Sequence, residues 1–285
     1  MAVPSIMLQS NILPPAQPDS NRPLILLTND DGIASPGLLA LIHAVQPLGE
    51  LLVVAPRHQQ SATSRSYLAQ VGATEHHLMD IAGVSLRAYS VEATPAQAVR
   101  NGLLRFAQRK PDLLISGINY GENVGAGLTV SGTVGAAWEG AAMGVPALAI
   151  SLEVEVGHMF AHSTDVDFTV AAQFAKRFAV ALLANGLPKG VEILNINVPQ
   201  DAAADVGWQL TRLSGYSHFH TIVREDEHGE KVFDGYHRKL DFNQVEARSD
   251  LHVLFKDRQV SVTPLTIDAT AHTPGDEILR SLPPL

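Results

Sequence analysis

Cysteine is absent from the 285 residues of this chain. No disulfide framework, thiolate nucleophile or cysteine-ligated zinc site is open to it, and a cytoplasmic location fits. Long apolar runs are missing too. None approaches the ~18 residues of a membrane span, so no membrane partner is expected. Positive charge is scarce: 20 lysines and arginines face 29 acidic residues, a formal net charge of −9. A protein that grips a nucleic-acid polymer needs a basic face, and this balance argues against one. Phosphate substrates stay open, because a bound cation can reverse the local field. Apolar residues make up 46% and charged ones 17%, a globular balance with a sizeable core in one large α/β domain or two. Met1–Arg22, with prolines and few charges, reads as a disordered leader or a remnant foreign to the fold rather than a secretory signal.

What is present centres on Leu24–Gly32, Leu-Ile-Leu-Leu-Thr-Asn-Asp-Asp-Gly. Leu24–Leu27 is a short unbroken apolar run, as in a strand covered on both faces of a parallel sheet. It stops at Asn29, Asp30 and Asp31, where ligands of open α/β sheets bind. Two neighbouring carboxylates are costly to bury together unless a cation shares them, and Mg²⁺ or Mn²⁺ favours such oxygen ligands. Locally a plain turn is the stronger reading, since Asn, Asp and Gly are turn formers. The rest of the chain reverses that order.

Ser35-Pro36 starts a helix with the apolar face Leu38, Leu39, Leu41, Ile42 and Val45. Leu51–Ala55 is a second buried strand, so the order is strand, helix, strand, the unit of parallel sheets. The polar loop from Pro56 to Ser66 follows, with His58 and Ser61 its chemically interesting residues. Residues 67–91 give mixed signals, with a strand at Val84–Val91 and an inserted hairpin as options. Thr94-Pro95 opens a helix over Ala96–Phe106, and Asp112–Ser116 is a third buried strand. That strand runs into Gly117–Gly127, whose four glycines let backbone N–H groups approach a ligand. Ser131–Gly140 is a small-residue helix whose N-terminus suits a phosphate, or whose small residues permit close helix–sheet packing. A strand over Pro146–Leu152, a helix over Phe168–Leu183 and a strand over Val191–Val198 complete the core. His158 and His162 sit four apart, but without a third ligand they read as loop residues.

From Gly207 the pattern changes to the alternating segments Trp208–Leu213, His218–Val223 and Lys231–Tyr236, which predict hairpins. His218, His220, His228 and His237 are expected as surface or interface groups. Gln259–Leu265 returns to a strand, and Thr273–Glu277 starts a last short helix. The expected division is a leader over 1–22, an α/β core over 23–206, and a C-terminal arm with returning strand and helix over 207–285.

Taken jointly, several stretches resemble the survival-protein SurE family: Asn29-Asp30-Asp31-Gly32, Ala55-Pro56 followed by Ser61, Ser116-Gly117-Ile118-Asn119 and Ser131-Gly132-Thr133-Val134. Pro36-Gly37, the run Leu194–Pro199 and Val262–Leu265 fit as well, so the likeness runs from about Leu24 into the C-terminal region. The resemblance implies a Rossmann-like three-layer fold with a mainly parallel sheet and a C-terminal β-hairpin arm. It implies a 5′/3′-nucleotidase, a metal-dependent phosphomonoesterase for nucleoside monophosphates, with short polyphosphate as a further substrate. It places one Mg²⁺ or Mn²⁺ per subunit on Asp30, Asp31, Ser61 and Asn119, and a homodimer or homotetramer through the arm. Asp30 and Asp31 are the catalytic candidates. Asn29, Asn123, Ser131, Gly132 and Thr133 are the candidates for substrate and phosphate contact. The chain departs from the family pattern at Arg57, Gly127 and Val130, none of them a proposed ligand. No clear general acid is visible beyond His58. The rival readings are a phosphosugar-type transferase and a nucleotide-binding regulatory module that does not hydrolyse.

Overall fold

The structure, a computed structural model, describes residues 21–81, 84–159, 163 and 165–270. The leader up to residue 20 and the last expected helix lie outside the described residues. Strand β1 (Leu24–Thr28) is buried along its whole length. Its alternate side chains enter two different cores. Ile25 and Leu27 pack with Leu38, Leu41 and Ile42 of helix α1 (Pro36–Val45) and Phe174 of helix α4 (Thr169–Asn185). Leu24 and Leu26 pack with Ala98 and Val99 of helix α2 (Pro95–Asn101) and Val134 and Ala137 of helix α3 (Gly132–Ala142). A strand covered on both faces must be apolar at every position, and this is why β1 shows no period-two alternation.

The main sheet has nine strands in the order β3-β4-β2-β1-β5-β6-β7-β11-β8. Its central six, β4 (Val84–Val91), β2 (Glu50–Pro56), β1, β5 (Leu113–Tyr120), β6 (Ala147–Leu152) and β7 (Ile193–Val198), are parallel. The flanking strands β3 (Thr74–Ile81) and β11 (Val260–Leu265) run antiparallel to β4 and β7, and β8 (Trp208–Leu210) pairs parallel with β11. The chain steps outward from β1 through β2 to β4, then returns to the other side of β1 as β5. The strand order therefore reverses between β1 and β5, where open α/β sheets form a ligand crevice.

Close approach depends on two glycines in particular. A Cβ on Gly37 would sit 2.0 Å from the Ile118 carbonyl oxygen, and one on Gly135 would sit 2.3 Å from that of Ser64. The first lets α1 lie against the end of β5; the second lets the loop after β2 lie on α3. The segment Trp208–Leu210 differs from its expected place in a hairpin, because it joins the main sheet. The separate sheet is a single hairpin of β9 (Phe219–Glu225) and β10 (Lys231–Arg238). Helix α5 (Asp250–Phe255) packs at its root, with Leu251 and Leu254 against Val124 and Val245.

Candidate active site

The turn after β1 is built by Asn29. Its amide donates to the Gly32 carbonyl at 2.9 Å and accepts from the Gly32 N–H at 3.2 Å. Gly32 has φ +96°, a conformation that glycine adopts without strain. Asn29 is fully buried, and one hydrogen and one lone pair of its amide are used in holding this turn. The turn presents Asp30 and Asp31 at the β1/β5 crevice, only 4% and 2% exposed.

Each carboxylate has its own neutral partners. Thr133 Oγ1 donates to Asp30 Oδ1 at 2.5 Å, and the backbone N–H groups of Gly132 and Thr133 favour the charged form of this carboxylate. A Cβ on Gly132 would come within 2.8 Å of Asp30 Oδ2, so glycine is needed there. The positive end of α3 thus already faces an anion, and that anion is Asp30. Asp31 accepts from Gln59 Nε2 at 3.2 Å and from the Tyr120 N–H at 3.3 Å. Among the described residues, neither carboxylate is ion-paired with Lys, Arg or His. Burial pushes the Asp30 carboxyl up to about 6, against the pull of Thr133 and the α3 amides. Burial, reinforced by the Asp30 charge, pushes Asp31 well above the ordinary range.

The segments that carry the four expected metal ligands are neighbours. The N–H of Gln60, next to Ser61, donates to the Asp30 carbonyl at 2.7 Å, and Asn119 adjoins the Tyr120 amide that reaches Asp31. Asn119 is 8% exposed and donates its amide hydrogens to the Tyr120 and Gly121 carbonyls at 3.2 and 2.8 Å, which leaves Oδ1 for a ligand. Ser61 is half-buried. The donor set suits a hard divalent cation: two carboxylates, an amide oxygen and a hydroxyl. It holds no third carboxylate, and among the described residues no three His, Cys, Asp or Glu gather as a metal cluster.

The remaining candidates are placed as follows. Ser131 caps α3, accepting from the Val134 N–H at 3.1 Å. Asn123 sits in the glycine-rich loop after β5. Its N–H donates to Asn197 Oδ1 at 2.7 Å, its carbonyl accepts from Asn195 and Asn197, and its amide donates to Ser151. His58 is exposed on the loop after β2, and His158 is half-buried in a short turn. His162 lies outside the described residues. Arg57 turns to Glu75 and Glu92 rather than to the crevice.

Sequence reasoning missed several residues. Gln59 bridges Asp31 to the Met159 carbonyl at 3.1 Å; its place at a strand's carboxyl end was the available signal. Glu139, fully buried on α3, accepts from Arg65 Nε and Arg100 Nε at 2.8 Å each and from the Tyr67 hydroxyl. This ties the loop that carries Ser61 to the helix that Asp30 caps. Burial alone would raise the Glu139 carboxyl, but these three hydrogen bonds hold it below its ordinary value. His218, expected at a surface, is 1% exposed, with Nε2 3.0 Å from Glu122 Oε1.

Among the described residues no helix is long and apolar enough to cross a membrane. Residues 25–219 match the family described as survival protein SurE. A protein of Methanocella arvoryzae named 5′-nucleotidase SurE is 43% identical over 264 residues, 90% of this chain and 96% of that protein. Its namesake from Thermococcus kodakarensis is 40% identical over 259 residues, 90% and 98% of the two chains. The crystal structure of the SurE protein from Aquifex aeolicus matches with a TM-score of 0.72 at 28% identity, over 91% of this chain and 98% of that one. With the acidic turn, the Ser-Gly-Ile-Asn strand end and the Ser-Gly-Thr helix start meeting in one crevice, this chain belongs to the SurE family.

Proposed function

We propose that this chain is a divalent-metal-dependent phosphomonoesterase that hydrolyses nucleoside monophosphates to nucleoside and phosphate. Nucleotidase activity is supported by relatives named 5′-nucleotidase at 40% and 43% identity. The observation that carries the metal-dependent reading is the pair Asp30 and Asp31, adjacent, buried and without a cation from the protein. Asp30, Asp31, Asn119 and Ser61 would hold one Mg²⁺ or Mn²⁺. Such an ion, when bound, polarises a phosphate and lowers the pKa of water. Gln59 and the Tyr120 N–H orient Asp31, while Thr133 and the first turn of α3 favour the ionised form of Asp30. A carboxylate fixed in this way can orient the attacking water or take its proton. Ser131, Gly132 and Thr133 line the side assigned to the phosphate, with Asn123 on the facing loop.

The test is phosphate release from nucleoside 5′-monophosphates with Mn²⁺, with Mg²⁺ and with a chelator. Metal-dependent release is expected, and none with any nucleotide would sink the reading. The same assay with 3′-monophosphates and short polyphosphate sets the substrate range. We assign the hairpin to self-assembly as a dimer or tetramer. Val223 and Phe233 face each other across the two strands at 51% and 84% exposure. A lone two-stranded ribbon cannot bury such a face, whereas a second copy can.

A further inference from the structure

The loop between Asn119 and Ser131 is tied to the core at its two ends, through Leu152, Ser151, Asn195 and Asn197 on one side and Ser64 on the other, while its middle is held by distant C-terminal residues. Gly125 N–H donates to Asp250 Oδ2 at 2.8 Å, and Ala126 N–H donates to the Tyr216 carbonyl at 3.1 Å. Gly125 has φ +57°, and a Cβ there would lie 2.5 Å from the Tyr216 oxygen. At Glu122 the hold involves the hairpin itself. His218 stands immediately before β9 and Arg238 is the last residue of β10, and both close on this one carboxylate. His218 Nε2 is 3.0 Å from Oε1, and Arg238 Nη2 is 2.8 Å from Oε2 and also 2.8 Å from the Val154 carbonyl. The Lys239 N–H donates to the His218 carbonyl at 2.9 Å, closing the root. The Arg238 guanidinium lies 5.0 Å from the Phe255 ring and 3.6 Å from Glu153, which pairs in turn with Arg258.

We propose that Glu122 is a positioning residue that couples the hairpin to the loop joining the metal-binding and phosphate-binding ends of the site. The clamp is costly if its purpose is stability alone. Among the described residues His218 Nδ1 and Arg238 Nε are buried with no hydrogen-bond partner, and a partly satisfied buried polar network is worth less than its ion pairs suggest. Its geometry does give position. Any rotation of the hairpin root must move His218, Arg238 or both, and Glu122 is three residues from Asn119. The inference rests on the nucleotidase reading only for where its catalytic effect is felt.

The test compares full-length Glu122→Gln, Arg238→Met and Arg238→Lys with the parent. Hydrogen exchange is measured on metal-free protein, and phosphate release is titrated with Mn²⁺. Amides 121–127 should exchange about tenfold faster in Glu122→Gln and Arg238→Met, with those of β1 and β6 unchanged. The Mn²⁺ concentration for half-activation should rise and kcat fall several-fold, with KM changing less, and Arg238→Lys should recover part of both. In a trimmed hairpin with Thr221 joined to Tyr236 through Asn-Gly, the root remains and loop exchange should stay at the parent's rate. Parent-like exchange in both Glu122→Gln and Arg238→Met would overturn the proposal. So would loop exchange in the trimmed protein as fast as in Glu122→Gln. If Glu122→Gln does not fold, Arg238→Met and Arg238→Lys decide alone. A parent that releases no phosphate would defeat the nucleotidase reading while leaving the exchange result to decide this one.

Discussion

Two pairs of buried carboxylates differ in their surroundings, while another, Asp250, is satisfied by the N–H groups of Gly125, Ser214 and Leu251. Glu139 and Glu122 are gripped by guanidinium groups, Arg65 and Arg100 for the first and Arg238 for the second, with His218 Nε2 also on Glu122. Asp30 and Asp31, just as deeply buried, have only hydroxyl, amide and backbone N–H partners among the described residues. A paired buried carboxylate is part of the architecture. An unpaired adjacent couple raises the free energy of the empty protein, and such a couple persists when something outside the chain completes it. Under the proposed function the contrast separates residues that hold the fold from an adjacent couple completed by a ligand, and it can be broken experimentally.

The largest expected effect is on turnover. Asp30→Asn or Asp31→Asn should cost about a thousandfold in kcat, roughly 4 kcal/mol of transition-state stabilisation. The fold should survive, and the melting temperature of metal-free protein should hold or rise because like-charge repulsion is relieved. Mn²⁺ at about 100 times its Kd should stabilise the parent by ~2.7 kcal/mol and leave the double mutant unmoved. Near-normal turnover in both single mutants would remove the distinction between the two kinds of carboxylate.

The second effect is pH-dependent stability, on the order of 3 kcal/mol for a shift of roughly two units. The Asp30 carboxyl titrates at about 6 in the fold against an ordinary 3.8. The folded state therefore holds its proton more tightly than the unfolded chain does. That stabilisation is fully present below 3.8 and is lost as pH rises through about 6. Calorimetry in chelator from pH 4 to 7 should show the parent losing ground to Asp30→Asn across this window. Parallel curves would mean that Asp30 is not the strained group.

Much of this was legible in the chain. β1 and β2 read correctly because both-face burial demands unbroken apolar runs, and α1 because Ser35-Pro36 marks its start. The acidic turn stood out because carboxylates directly follow such a run. What escaped depends on long-range partners. His218 looks like any polar residue of a charged hairpin, and its burial is decided by Glu122, 96 positions away in sequence. The bonds by which Asn29 shapes the turn at Gly32 are likewise invisible in the run of polar letters. Trp208–Leu210 is too short for a period to show, and its place beside β11 is set by tertiary pairing. The six residues of α5 likewise offer little helical pattern.

A third, smaller effect tests the paired class. Glu139→Gln should destabilise the protein by about 2 kcal/mol, below the ~3–5 typical of a broken buried pair, because both arginines can turn to water. Arg65 and Arg100 are 38% and 47% exposed at the side chain. Denaturant unfolding should show this loss, and Mn²⁺ should still stabilise the variant, in contrast to the Asp30/Asp31 double mutant. An Mn²⁺ response abolished in Glu139→Gln would blur the two classes.

The smallest effect on stability is expected at the hairpin, where the same reasoning passes from charge to apolar surface. Phe233 and Val223 are opposed on the two strands, and Tyr236 stands on the same face opposite Thr221. These side chains gain little in an isolated chain because they remain largely in water: Phe233 is 84% exposed, the highest of the large apolar residues among those described. Replacing Phe233 and Val223 by Ser should therefore change the unfolding free energy of a single subunit by less than about 0.5 kcal/mol, as for exposed positions generally. Its effect should fall on association, because on a second copy these rings are the surface that would be taken from water. Light scattering at micromolar concentration should show the parent as a dimer or larger and the double mutant shifted to smaller species. Loop exchange at 121–127 should be retained, because His218 and Arg238 remain. A parent that is monomeric under these conditions would leave the exposed face without a partner copy and end the assembly reading.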